Sequence, residues 1–300
     1  MSESETYHPS VSGESAPAST PTWSRVLLPC LGLAAILALL YWPILRDLSA
    51  QWWDDANYNH GFLIPIFSGF LIWRERRQLR AIRPSGSALG LPVLLGGVAL
   101  LLLGDIGAEN FLMRSSLLVI LAGLVLFLAG RGILRAVLFP LGYLLFMIPL
   151  PGILFYAITF PLQRIAAEQA AWALDLLGVP VLLDGNIIHL SQISLGVTEA
   201  CSGIRSLISL LAGAAAWAYL MLPVGWLSVL FVASAIPITI LANSARVVAT
   251  GLIGQWFGVE YASGFFHEFA GWVVYLFAFA CLILVYGLIQ LARGARRRPA

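Results

Sequence analysis

From residue 23 onward the chain alternates long apolar segments with short polar joints, after a first stretch, 1–22, that is rich in Ser, Glu, Pro and Thr and holds no apolar run. Apolar segments at about 26–46, 61–73, 88–104, 115–130, 136–151, 203–222, 226–245 and 268–291 predict eight helices. Most approach the roughly 20 residues needed to cross a hydrocarbon core; the second and fifth are shorter or interrupted by Pro. Between the fifth and the sixth the pattern changes. Residues 153–178 keep a helical period but carry Gln163, Arg164, Glu168, Gln169 and Asp175, which predicts an interfacial or tilted helix in preference to a plain span. Residues 178–197 are rich in Val, Ile and Leu, alternate in part and contain the turn pair Asp184-Gly185, which predicts a β-hairpin.

Composition places these helices in lipid. The chain is 60% hydrophobic and 11% charged, with a mean hydropathy of +0.88, too little charge to cover the surface of a soluble domain of 300 residues. All 17 basic residues are arginine. They flank apolar spans instead of forming a broad patch, so no nucleic-acid partner is expected. Under the eight-helix reading, Arg25, Arg74, Arg76, Arg77, Arg80, Arg83, Arg131, Arg135, Arg293, Arg296, Arg297 and Arg298, twelve of the seventeen, fall on one side. The positive-inside rule makes that side cytoplasmic and puts both termini there. Residues 1–24 then form a disordered cytoplasmic tail, 25–292 the membrane-embedded domain and 293–300 a basic cytoplasmic tail. The N-terminus lacks the pattern of a cleavable signal, so the first span is expected to be a retained anchor. The predicted fold class is an all-α polytopic membrane protein of about eight transmembrane helices, with a small extracytoplasmic insertion made of an interfacial helix and a β-hairpin.

The distinctive polar chemistry collects on the extracytoplasmic face. Cys201 opens the sixth predicted span, Arg246 ends the seventh and His267 begins the eighth, all at one membrane boundary. A thiol with a free pKa near ~8.5 becomes a nucleophile when a neighbouring cation or base favours the thiolate. A nearby cation also stabilises the oxyanion of acyl transfer. Arg205, one turn beyond Cys201, competes with Arg246 for that part, and Glu199 and Glu268 are candidate orienters. Cys30 and Cys281 sit in the first and last spans as small buried hydrophobes, and three cysteines make a poor disulfide framework. His60, His189 and His267 share the face with Asp54, Asp55 and Glu268, but no HExxH or CxxC spacing is present, so no metal or other cofactor is expected. Ser202 lacks a GxSxG context. A transporter lined by Arg205, Arg246 and His267 would spread polar residues through the bilayer, whereas the spans here are clean in the middle. A non-catalytic subunit or transporter of an exopolysaccharide export system is the alternative reading.

The blocks "VTEACSGIRSLISLL" (197–211), "LANSARVVATGLIG" (241–254) and "FFHEFAGWVVY" (265–275), in that order, resemble the exosortase family, bacterial inner-membrane enzymes related to archaeosortases. "NYNHGFLIP" (57–65), "FMIPLPG" (146–152) and the stretch 161–190 fit the same resemblance, which covers roughly residues 40 to 290. It implies a membrane-embedded cysteine protease or transpeptidase. Cys201 would be the nucleophile that forms an acyl-thioester, Arg246 the stabiliser of thiolate and oxyanion, and His267 the general acid and base. Arg205, Glu199, Asn243 and Glu268 would support them. The implied substrates are exported proteins with a C-terminal sorting tail: a short Pro-Glu-Pro-like motif, one transmembrane helix and a basic cluster. The implied acceptor is water or an amine. The implied setting is the outer face of the inner membrane, in sorting of surface proteins linked to exopolysaccharide. Some family members carry an additional soluble C-terminal domain, which this sequence does not include.

Overall fold

In a computed structural model the described residues are 24–198, 202–223, 225–258 and 265–296, with side chains placed from 32 in the first helix and over 269–293 in the last. They are mostly helical. The elements are α1 (Ser24–Asp54), α2 (Leu63–Arg74), α3 (Arg76–Ala81), α4 (Gly90–Ile106), α5 (Asn110–Leu128), α6 (Arg131–Tyr143), α7 (Gly152–Leu176), β1 (Val181–Asp184), β2 (Ile187–Leu190), β3 (Ser194–Gly196), α8 (Ile204–Met221), α9 (Trp226–Phe257) and α10 (Phe265–Arg296). Among the described residues five helical segments are long and apolar enough to cross a membrane: Gly32–Asp54, Asn110–Leu128, Ile204–Met221, Trp226–Phe257 and Phe269–Arg293. The pair Arg131–Met147 and Gly152–Leu176 passes the same test jointly but is bent by 76°, which makes up to six, and Gly90–Ile106 is apolar but shorter. The eight predicted segments each fall on a helix, yet α2 has only 12 residues and α6 only 13, so length and composition alone do not make eight crossings. Large apolar side chains point outward, as lipid contact requires; Leu276, Leu284, Leu288 and Leu291 on α10 are all more than half exposed.

Small residues let the helices approach. Gly90, Gly97 and Gly104 recur every seven residues along the buried stripe of α4. A Cβ at Gly97 would lie 2.6 Å from Ile120 Cγ1 and one at Gly104 2.7 Å from the Met113 nitrogen, both on α5, while Gly123 of α5 lies as close to Leu94. Alanines do the same in the second half of the molecule, where Ala214, Ala218, Ala235, Ala242 and Ala278 interleave with Leu210, Phe231, Leu282 and Ile289 of α8, α9 and α10. The first half is stitched by polar side chains. Tyr41 Oη and Ser116 Oγ meet at 2.6 Å, and Trp52 Nε1 donates to the Met147 carbonyl at 2.8 Å.

The break between α6 and α7 follows from "IPLPG". Pro149 and Pro151 cannot continue a helical ladder and push the residues before them into extended backbone, as at Ile148 (φ −92°, ψ 118°). Beyond it α7 buries Phe155, Thr159, Gln163, Ala166, Ala167, Ala170 and Leu174 and exposes Ile153, Tyr156, Phe160, Trp172 and Leu176. Gln163, predicted to make the helix amphipathic, lies on its buried face, and the exposed face is largely apolar. Arg164 and Glu168 pair across that face at 2.7 Å.

Two further expectations are corrected. The insertion is a three-stranded antiparallel sheet of order β1-β2-β3, not a single hairpin. Asp184 pairs with Ile187 around a two-residue turn whose first residue, Gly185, has φ +60°. A second turn leads into β3 and is held from outside the sheet, where the Gln192 N–H donates to Gln255 Oε1 of α9 at 3.1 Å. Secondly, α9 does not stop at 245 but runs on to Phe257. Arg246 therefore lies inside a helix, with about 16 Å of helix beyond it. That extension is buried by its neighbours: Val247, Val248 and Leu252 pack with Ala166, Ala170 and Leu174 of α7 and with Ile188, Leu190 and Leu195 of the sheet.

Candidate functional site

Gly203 caps the N-terminus of α8 in the left-handed region, φ +81°. A Cβ there would sit 3.1 Å from both Cβ and Cγ of Asn243 on α9, so glycine is required twice, by the backbone and by the neighbour. Ser202 and Asn243 are each 3% exposed, and Ser202 Oγ accepts from the Ile204 N–H at 3.3 Å. The start of α8 is thus seated on α9 at the level of Asn243.

Arg246 lies three residues after Asn243, on the same side of α9, and is half-buried. Its guanidinium reaches α10 at Gly271: a Cβ there would be 3.8 Å from Cζ and 3.9–4.0 Å from the two terminal nitrogens. His267 stands four residues, about one turn, before Gly271 on the same helix, and so on the same face of its backbone. The three sequence blocks therefore converge: the first meets the second through Gly203 and Asn243, and the second meets the third through Arg246 and Gly271. Behind them Ser244 Oγ donates to Gln169 Oε1 of α7 at 2.8 Å, tying α9 to α7 at this level.

Of the residues expected here, Asn243 and Arg246 are placed together. Arg205 is exposed, turned away from the buried Ser202-Gly203-Ile204 corner. Cys201 and Glu199 lie outside the described residues; Cys201 immediately precedes Ser202 in the sequence. His267 and Glu268 lie on α10 with side chains outside the described set. His60 and His189 are engaged elsewhere. His60 Nε2 contacts the Phe146 carbonyl at 3.2 Å and Nδ1 contacts Ser209 Oγ at 3.3 Å, which fixes the hydrogen on Nε2 and makes Ser209 the donor. Burial pushes this imidazole below its ordinary range, partly offset by the Phe146 carbonyl. His189 Nδ1 pairs with Ser194 Oγ at 2.8 Å. Among the described residues no group of His, Cys, Asp or Glu is arranged to hold a metal.

Sequence reading passed over the glycines. Gly203 and Gly271 each stand next to a chemically conspicuous residue and make room for the partner helix, and the signal available was a small residue within one turn of Cys201 and of His267. The contacts predict different tolerances. Gly271→Ala meets only ordinary van der Waals distances and should leave activity close to wild type. Gly271→Leu should displace the guanidinium and remove most activity while the protein still accumulates in the membrane. Gly203→Ala should lower stability by about 1–2 kcal/mol from the left-handed backbone alone, read as a drop in thermal unfolding temperature in detergent.

The chain matches the family of transmembrane exosortases over residues 52–284. No curated protein and no solved structure matches it. The match takes in the convergent blocks from Gly203 to Gly271 and the "NYNHG" and "IPLPG" segments alike, and this multi-pass membrane protein belongs to the transmembrane exosortase family.

Proposed function

We propose that this chain is a cysteine peptidase or transpeptidase that cleaves C-terminal sorting tails of exported proteins at the outer face of a bacterial inner membrane. The observation that carries the proposal is the packing of Gly203 on Asn243 and of Arg246 on Gly271, which brings the cysteine and histidine blocks, at the starts of α8 and α10, to the arginine block within α9. Sequence positions more than sixty residues apart, 203 and 271, come to one arginine and one asparagine of α9.

In the proposed cycle His267 takes the proton of the Cys201 thiol, and Sγ attacks the carbonyl carbon of the scissile peptide. Arg246 donates hydrogen bonds to the resulting oxyanion. Collapse breaks the C–N bond, the leaving amine takes the proton from His267, and an acyl-thioester remains on Cys201. Attack by water releases an acid; attack by an amine forms a new amide and restores the thiol. The test is mass spectrometry of a co-expressed reporter that carries a Pro-Glu-Pro motif, one transmembrane helix and an arginine cluster. A new C-terminus upstream of the helix, as free acid or as amide, is expected. An intact reporter beside well-accumulated enzyme sinks the reading.

The topology belongs to the same proposal: eight crossings with both termini cytoplasmic, and the sheet and the start of α8 outside. Reporter fusions after Arg83 and near Asn186 should give opposite signals, since twelve of seventeen arginines fall on the proposed cytoplasmic side. Equal signals from the two sites would overturn the orientation.

A further inference from the structure

Among the described residues the outer edge of the sheet, on β3, has no strand partner. The register pairs Ile188 with Leu195, and the same alternation joins Leu190 to Ile193 and Asn186 to Val197 by hydrogen bonds. Ser194 and Gly196 occupy the intervening, non-bonded positions, so their backbone groups point away from β2. Nothing among the described residues pairs with that edge except Thr198, whose N–H folds back to the Gly196 carbonyl at 3.0 Å. The opposite edge, on β1, follows directly from α7 and packs along it. Ser194 and Gly196 are exposed while Leu195 points inward onto Gly251 of α9. Gly196 needs neither a positive φ nor the space: a Cβ there would meet only Thr198 Cγ2, at 4.0 Å. A glycine without an internal cause on an edge strand marks a place where another backbone can come close.

The geometry points to β3 as the recognition strand for the substrate: the extended segment preceding the scissile bond adds to the sheet at the Ser194–Gly196 edge. This rests on the proposed role of Cys201, which lies five residues after Gly196, at most about 18 Å along the chain. Main-chain bonding would hold an extended motif whatever its side chains, and the outward face beside it, with Leu182 and Ile187 exposed, offers apolar contact to alternate residues. The acyl part of a substrate runs toward its scissile bond as β3 runs toward Cys201, so the added strand is parallel. With only three residues in β3, the edge suits a short motif.

The edge can be read without catalysis. In full-length protein carrying Cys30→Ser, Cys201→Ala and Cys281→Ala, S194C is combined with the Pro-Glu-Pro reporter bearing single cysteines at successive positions before its transmembrane helix. Disulfide trapping is expected at every second reporter position, and moving the probe to G196C should shift the favoured positions by two toward the helix. Trapping that is absent, uniform along the reporter or unshifted between the two probes overturns the parallel edge pairing. In the enzyme with Cys201 intact, Ser194→Pro removes an outward N–H while leaving every β2–β3 bond in place. It should raise KM about tenfold with kcat nearly unchanged, whereas Ser194→Ala, which also loses the His189 contact, should not. Equal KM for the two variants overturns the proposal even if cleavage by Cys201 stands. A period-two trap in a chain that never cleaves would keep the edge and remove the cysteine mechanism.

Discussion

Cys201→Ala is expected to abolish tail cleavage while the protein accumulates in the membrane as the wild type does. The thiol is the only group in the "TEACSGIRS" block that becomes a good nucleophile near neutral pH once a base or cation is close. Loss of a nucleophile acting as one unit with its base leaves only binding and oxyanion stabilisation, so the fall should be at least roughly 10³-fold. Cys201→Ser should be nearly as poor, because a hydroxyl in the same place gives up its proton far less readily. Cys281 is half-buried in the interior of α10 and Cys30 lies on α1, both far in sequence from the convergent blocks, so alanine at either should leave turnover largely intact. Both arms are read by the rate at which the reporter's new C-terminus appears. Normal processing by Cys201→Ala would end the cysteine mechanism.

How far this site was legible in the sequence depends on which force decided each element. The helices were legible because lipid imposes a uniform rule, apolar side chains outward, on every span, and all eight predicted segments fall on helices. Where packing inside the protein takes over, the rule fails. Arg246 looked like a helix end because a charge ends an apolar run. Yet the backbone ladder continues through Val247, Gly251 and Gly254, since α7 and the sheet bury that stretch in place of lipid. Gly251 is a contact point in that stretch, where a Cβ would lie 3.3 Å from Leu174 of α7 and from Leu195 of β3. The turn before β3 carries no Gly or Asn signal, and its anchor, Gln255, is 63 residues away. The cysteine, arginine and histidine blocks were visible one by one; that Gly203 and Gly271 bring them to one face of α9 is a fact of tertiary packing.

The same packing divides the labour between Arg246 and His267 in a way that can be measured. Arginine stays protonated at any working pH, so it can hold a thiolate and an oxyanion but cannot carry a proton. Its planar fork also matters: Asn243 lies one turn before it on the helix, and a Cβ at Gly271 would lie 3.8 Å from Cζ and 3.9–4.0 Å from the two terminal nitrogens, so α10 passes close beside the guanidinium. Arg246→Lys keeps the charge and loses the fork, so kcat should fall about 10²–10³-fold, the usual cost of an oxyanion donor, with the pH optimum unmoved. The exposed Arg205 is the control, and Arg205→Ala should cost far less. Histidine titrates near neutrality, so His267→Ala should remove the acid limb of the pH–rate profile together with most of the rate. Added imidazole should restore part of it, with a rescue that tracks the pKa of the amine across a series. If Arg205→Ala is inactive and Arg246→Ala turns over normally, the two arginines exchange roles. If His267→Ala cleaves at the wild-type rate, the proton moves through another group and α10 contributes only the space beside Gly271.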